Sequence, residues 1–102
     1  FTDEETRTAM QHVYASSKYV MDPHGAIGYL GLKKYIAENN INATGIFLET
    51  AHPGKFIDVV EDTLQQKIDL PPTLQKFMAG QKQTIRMGNG FDGFKDYLKN
   101  NL

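Results

Sequence analysis

The sequence predicts a helix-rich α/β fold, with about five helices and one to three short strands, forming part of a three-layer open parallel sheet whose remaining strands lie upstream. Three observations lead there. Apolar residues recur at helical spacing in separate stretches bounded by caps, prolines and glycines. One stretch, Thr44-Gly45-Ile46-Phe47-Leu48-Glu49-Thr50, has an unbroken apolar centre instead, the pattern of a strand covered on both faces. Such a strand needs neighbours, and only the short segments Tyr19–Met21 and Thr84–Met87 offer any.

The first helix follows from Thr2-Asp3-Glu4-Glu5, a Thr-x-x-Glu capping box with two further acids at the positive end of the helix dipole. Ala9, Met10, Val13 and Tyr14 give its apolar face, and the pattern fades near Ser17. A second helix begins at Asp22-Pro23, where an N-cap acceptor precedes a proline whose fixed φ suits the first helical position. It runs through Ile27, Leu30, Leu32, Tyr35 and Ile36 to Asn39-Asn40. Within it Gly25, Gly28 and Gly31 form a stripe without side chains; each costs about 0.5–1 kcal/mol relative to alanine, so close packing against the backbone is expected there.

After the expected strand comes Ala51-His52-Pro53-Gly54-Lys55, and then Phe56, Val59, Val60 and Leu64 mark one face of a third helix. Leu74, Phe77 and Met78, after Pro71-Pro72, predict a short fourth helix stopping near Gly80. Gly88-Asn89-Gly90 makes a turn, and Phe91, Phe94, Tyr97 and Leu98 outline a last helix.

Composition narrows the function classes. Hydrophobic residues make up 40% and charged residues 23% of 102 residues, an ordinary globular balance that argues against disorder. Eleven basic against twelve acidic residues leave a net charge of -1, without the positive field that nucleic acid requires. No cysteine is present, which excludes disulfides and thiolate metal sites and points to a reducing cytoplasm. No apolar run approaches the ~18 residues of a membrane helix, and the opening residues lack the regions of a signal peptide, so no membrane association is expected. Phe1 is not an initiator methionine, and it opens directly onto a helix start; a preceding segment is expected.

In open α/β sheets, ligands sit beyond the carboxyl ends of strands, and Thr50 to Lys55 would occupy such a place. A hydroxyl, an imidazole, a glycine and an ammonium group fall within six residues there. The same residues also have structural uses: Thr50 as a local hydrogen-bonding group, His52 as a cap on the strand, Pro53-Gly54 as a turn and Lys55 as a solvated cation. Asp22, His24 and His52 lack the spacing of a metal site, because Asp22 is explained by capping and no i, i+4 histidine pair exists. Ser16 and Ser17 lack a nucleophile elbow. Gly88-x-Gly90-x-x-Gly93 imitates a dinucleotide fingerprint without the preceding strand or the later acidic residue.

Two blocks carry a resemblance: Asp22-Pro23-His24-Gly25-Ala26-Ile27-Gly28-Tyr29 at a helix start, and Thr50-Ala51-His52-Pro53-Gly54-Lys55-Phe56 after the apolar run. With the helix before them, they make residues 2–70 similar to the carboxyl-terminal part of the threonine synthases, pyridoxal-phosphate enzymes of the tryptophan synthase β-chain fold type. Residues 71–102 match more loosely, as variable carboxyl-terminal helices. The resemblance implies that residues 1–102 are the carboxyl-terminal part of the large cofactor-binding domain. It implies an enzyme that converts O-phospho-L-homoserine and water to L-threonine and phosphate, with pyridoxal phosphate as electron sink. On the same ground Thr50 is the hydroxyl that faces the pyridine nitrogen, and His24, His52 and Lys55 line or support the site. The family's Schiff-base lysine segment and glycine-rich phosphate loop do not occur in these residues, so no catalytic residue is assigned and the chain alone is expected to be inactive. The missing amino-terminal part is its expected partner, and its absence should expose apolar surface and favour self-association. The alternative is a small self-contained, non-catalytic binding domain with a strand-loop-helix ligand site.

Overall fold

A computed structural model describes residues 1–101 and contains five α-helices among them: α1 (Asp3–Ser17), α2 (Pro23–Glu38), α3 (Ile57–Leu64), α4 (Pro72–Met78) and α5 (Phe91–Asn101). A single turn of 3-10 helix, Pro53–Phe56, leads into α3. The helical expectations hold at their local signals. Thr2 closes the capping box, accepting from the Glu5 N–H at 3.2 Å while its own N–H donates to Glu5 Oε2 at 2.7 Å. Asp22 caps α2, with Pro23 in its first turn. Lys18 ends α1 in the left-handed region, φ 60°, where its N–H reaches the Tyr14 carbonyl at 2.9 Å.

The sheet does not form. Among the described residues there is no strand, neither at Thr44–Thr50 nor at Tyr19–Met21 or Thr84–Met87, which corrects the open parallel-sheet α/β reading to a helical one. A strand is defined by ladder hydrogen bonds to a neighbour, and no described segment supplies that neighbour. The apolar run was taken as buried on both faces, but it is buried on one. Phe47 packs edge-on against Tyr29, with ring centroids 5.8 Å apart, whereas Ile46 and Leu48 point away and are 85% and 77% exposed.

The core is small and sits where α1, α2 and α3 meet. Met10 from α1, Met21 from the α1–α2 link, Ala26 from α2 and Val60 from α3 are buried together, and Val13, Val20, Tyr29, Phe47, Phe56, Leu64 and Ile68 pack around them. Polar contacts tie α1 to α3: Arg7 Nη1 donates to Asp62 Oδ2 and to Thr63 Oγ1, and Gln11 Nε2 donates to the Thr63 carbonyl at 2.9 Å. Helices α4 and α5 bury no residue. The radius of gyration, 18.9 Å, exceeds the ~13 Å of a close-packed domain this long.

Candidate functional site

The chemically distinctive region lies at the start of α2, where the link from α1, the irregular segment 44–50 and the 3-10 turn converge. Its centre is Asp22, which is fully buried. As N-cap it accepts from the His24 N–H at Oδ1, 2.8 Å, satisfying one of the orphan donors of a helix start. The His24 ring folds back so that Nδ1 lies 3.1 Å from the same oxygen, and its face tilts onto Phe56 with centroids 4.8 Å apart. Phe56 closes the 3-10 turn, so α2 and that turn are coupled through His24.

Glu49 completes the cluster. It arrives at the end of segment 44–50, and its Oε2 accepts from the Asp22 backbone N–H at 3.2 Å. Asp22 Oδ2 and Glu49 Oε1 are both buried without a donor from any other group. Two carboxylates in such a place repel each other and lack solvation, and one retained proton removes both problems. Burial and then the Asp22 carboxyl push Glu49 up to about 7. Burial works against ionisation of Asp22 as well, but hydrogen bonds from the Glu49 carboxyl and from His24 more than offset it and hold Asp22 below the usual range. Glu49 is therefore the acid and Asp22 the acceptor.

The residues nominated from sequence are all exposed: His24, Thr50, His52 and Lys55. The structure brings His24 into the Asp22 cluster and places Thr50 directly after Glu49. The cap and turn hydrogen bonds around Thr50 are made by Asp22, His24, His52 and Gly54, not by its hydroxyl. His52 caps the 3-10 turn: its Nδ1 accepts from the Gly54 N–H at 3.0 Å, and its carbonyl accepts from the Lys55 N–H at 2.9 Å. An Nδ1 that accepts leaves Nε2 as the donor of a neutral ring. His52 also lines a recess of about 350 Å³ with Tyr14, Lys18, Lys67 and Ile68, which His24, Thr50 and Lys55 do not share. The four do not converge on one cavity.

Sequence reasoning missed Glu49. It falls near the end of the expected strand, and nothing in the local pattern links it to a capping aspartate 27 residues earlier. Gly25 was the available signal: a β-carbon there would overlap the Glu49 carboxyl group.

Comparison with known proteins places the chain in a family. The family profile described as "Threonine synthase, C-terminal" matches residues 25–98. Threonine synthase of Haemophilus influenzae is 41% identical over 95 residues, covering 93% of this chain and 21% of that protein. Threonine synthase of Saccharomyces cerevisiae is 34% identical over 94 residues, covering 80% of this chain and 18% of that protein. The crystal structure of threonine synthase from Escherichia coli superimposes with a TM-score of 0.86 at 29% identity, over 98% of this chain and 22% of that one. The chain thus spans about a fifth of the length of the relatives it matches. It belongs to the threonine synthase family and corresponds to the carboxyl-terminal region of those enzymes.

Proposed function

We propose that this chain is the carboxyl-terminal part of a cytoplasmic threonine synthase that converts O-phospho-L-homoserine and water to L-threonine and phosphate with pyridoxal phosphate. The observation that carries the reading is the match of nearly the whole chain, both in sequence and in backbone, to the carboxyl-terminal region of enzymes of that name. Residues 1–70 are its core portion and 71–102 its variable end, and the domain is completed by residues outside this chain. Pyridoxal phosphate, when bound, supplies an electron sink for the carbanions of the reaction.

The residues present fit one edge of that cofactor. Thr50 offers an exposed hydroxyl that no neighbouring cap uses, suitable for the pyridine nitrogen. A neutral hydroxyl does not hold that nitrogen protonated as a carboxylate would. His24, His52 and Lys55 are exposed on the flanking turns and support the site. None of these is assigned a proton-transfer role, and the chain by itself is inactive. Exposed Ile46 and Leu48, with Phe77 and Phe91 on the outer helices, are apolar surface that the rest of the enzyme covers.

The test is phosphate release from O-phosphohomoserine by the complete protein carrying this chain, set beside the chain alone. Turnover is expected in the first and none in the second; a complete protein that releases no phosphate overturns the reaction. Within it, Thr50→Val should lower kcat by about tenfold to a hundredfold, since leaving a buried polar partner unpaired costs about 1–3 kcal/mol. The visible spectrum of the cofactor should shift as well. Thr50→Ser should recover most of the rate, and equal, near-normal rates for both variants would remove Thr50 from the cofactor's contacts.

A further inference from the structure

We infer that Glu49 is the positioning residue for Thr50: through a carboxyl-to-carboxyl clasp on Asp22, it fastens the segment that ends in Thr50 to the start of α2. The inference rests on the reading of Thr50 as a cofactor contact. The clasp itself stands on geometry.

Four features build it. Asp22 is fully buried and already committed to the cap of α2, so it is a fixed anchor. Its backbone N–H holds Glu49 Oε2, while Asp22 Oδ2 and Glu49 Oε1 are buried with no hydrogen-bond partner. Gly25 provides the space, because any β-carbon at that position would meet the Glu49 carboxyl group. Segment 44–50 has no strand ladder to hold it; Gly45 lies against Leu32, Phe47 packs on Tyr29, and Glu49 is its polar anchor. With Phe47 two residues before Glu49 and Thr50 one residue after, the clasp fixes the direction in which Thr50 leaves α2.

The clasp requires one proton. With Glu49 protonated, its O–H donates to the Asp22 carboxylate and its carbonyl oxygen accepts from the Asp22 N–H. Loss of that proton to solvent leaves two adjacent carboxylates and no donor between them. The other titratable groups facing the pair are His24, from α2, and Tyr19, from the α1–α2 link. Burial, and next the Glu49 and Asp22 charges, hold the Tyr19 phenol above its usual range, so it stays neutral here and adds no further negative charge.

The sign follows from linkage. Glu49 titrates near 7 in the folded state against ~4.3 unfolded, so the native chain retains a proton that the unfolded chain has released. Its stabilising contribution is complete below about pH 4.3 and is lost as pH rises through about 7. Asp22 acts oppositely: lowered by its hydrogen bonds, it contributes above the unfolded carboxylate range and loses that contribution as pH falls through its folded value.

The experiment uses the complete protein with Glu49→Gln and Glu49→Ala. A glutamine amide can donate to Asp22 and accept from its N–H but does not titrate, so Glu49→Gln should stay within about threefold of the parent near pH 6. The ratio of its kcat/KM to the parent's should then rise by about threefold or more towards pH 8.5, as only the parent loses its proton. Glu49→Ala should lose about tenfold at both pH values, and Thr50→Val added to it should cost far less than it does alone. Hydrogen exchange at the Asp22 amide, whose N–H donates to Glu49 Oε2, supplies a readout independent of the reaction: protection should fall from pH 6 to pH 8.5 in the parent beyond the intrinsic rate, stay level in Glu49→Gln and be absent in Glu49→Ala. If exchange behaves so while Thr50→Val is silent, the clasp holds and the cofactor role of Thr50 fails. A flat rate ratio with unchanged exchange in all three proteins overturns the clasp itself.

Discussion

Gly25 lies directly beneath the Glu49 carboxyl group, with no room for a β-carbon between them. The glycine stripe of α2 is therefore three different positions. At Gly28 a β-carbon would sit 3.7 Å from the Phe47 ring, an ordinary contact, and at Gly31 it would meet nothing within 4 Å. Gly31→Ala should raise stability by about 0.5–1 kcal/mol through helix propensity alone. Gly25→Ala should lower it by about 1–3 kcal/mol, because the β-carbon displaces the Glu49 carboxyl group and leaves the buried Asp22 N–H unpaired, which outweighs the propensity gain. Urea midpoints at constant m-value compare the two, and a neutral or stabilising Gly25→Ala would contradict the close approach of Glu49.

Between α1 and α3, two contacts of the same Arg7 nitrogen should separate by burial. Asp62 is 66% exposed, so the ion pair at 2.7 Å is screened, and Asp62→Asn should cost ~0.2–1 kcal/mol, vanishing at high salt. Thr63 is 3% exposed and accepts from Arg7 at 2.9 Å. Thr63→Val keeps the shape and removes only that acceptor, so about 0.5–1.5 kcal/mol should be lost with little salt dependence. Denaturation of both variants at low and high salt checks this; equal salt responses would show that the arginine acts through charge alone.

Segment 44–50 makes a third test possible. Replacing Ile46 and Leu48, both exposed, with threonine should leave stability within about 0.5 kcal/mol. It should also lower self-association of the isolated chain in sedimentation velocity, since scattered large apolar groups on one segment form the surface that would otherwise pair. Phe47→Ala should instead destabilise by about 2 kcal/mol or more, because this ring alone of the three packs on the core. Unchanged sedimentation of the double variant would place the association surface elsewhere, on α4 or α5.

What could be read ahead of the coordinates were features whose cause is local. A capping box needs only Thr2 and Glu5, and the start of α2 only Asp22 and Pro23; these residues lie within one helical turn, and their hydrogen bonds form wherever the chain folds. His52, expected to cap a strand, caps the 3-10 turn instead, through a contact with the residue two positions on. The candidate site was legible in its types and order, Thr50, His52 and Lys55 in one stretch, because the motif is contiguous. Its geometry was not.

The sequence by itself determined where helices begin and end and which family the chain joins, since both are written in short-range spacing and residue type. Tertiary structure decided the rest. The run Ile46-Phe47-Leu48 carries no record of whether each face has a partner, so the expected buried strand became an irregular segment held on one side by Tyr29. Asp22 and Glu49 likewise look like a helix cap and an unrelated acid until folding brings together two positions 27 apart in the chain. Only there, out of water and against Gly25, does the repulsion of two carboxylates become large enough to push Glu49 up to about 7.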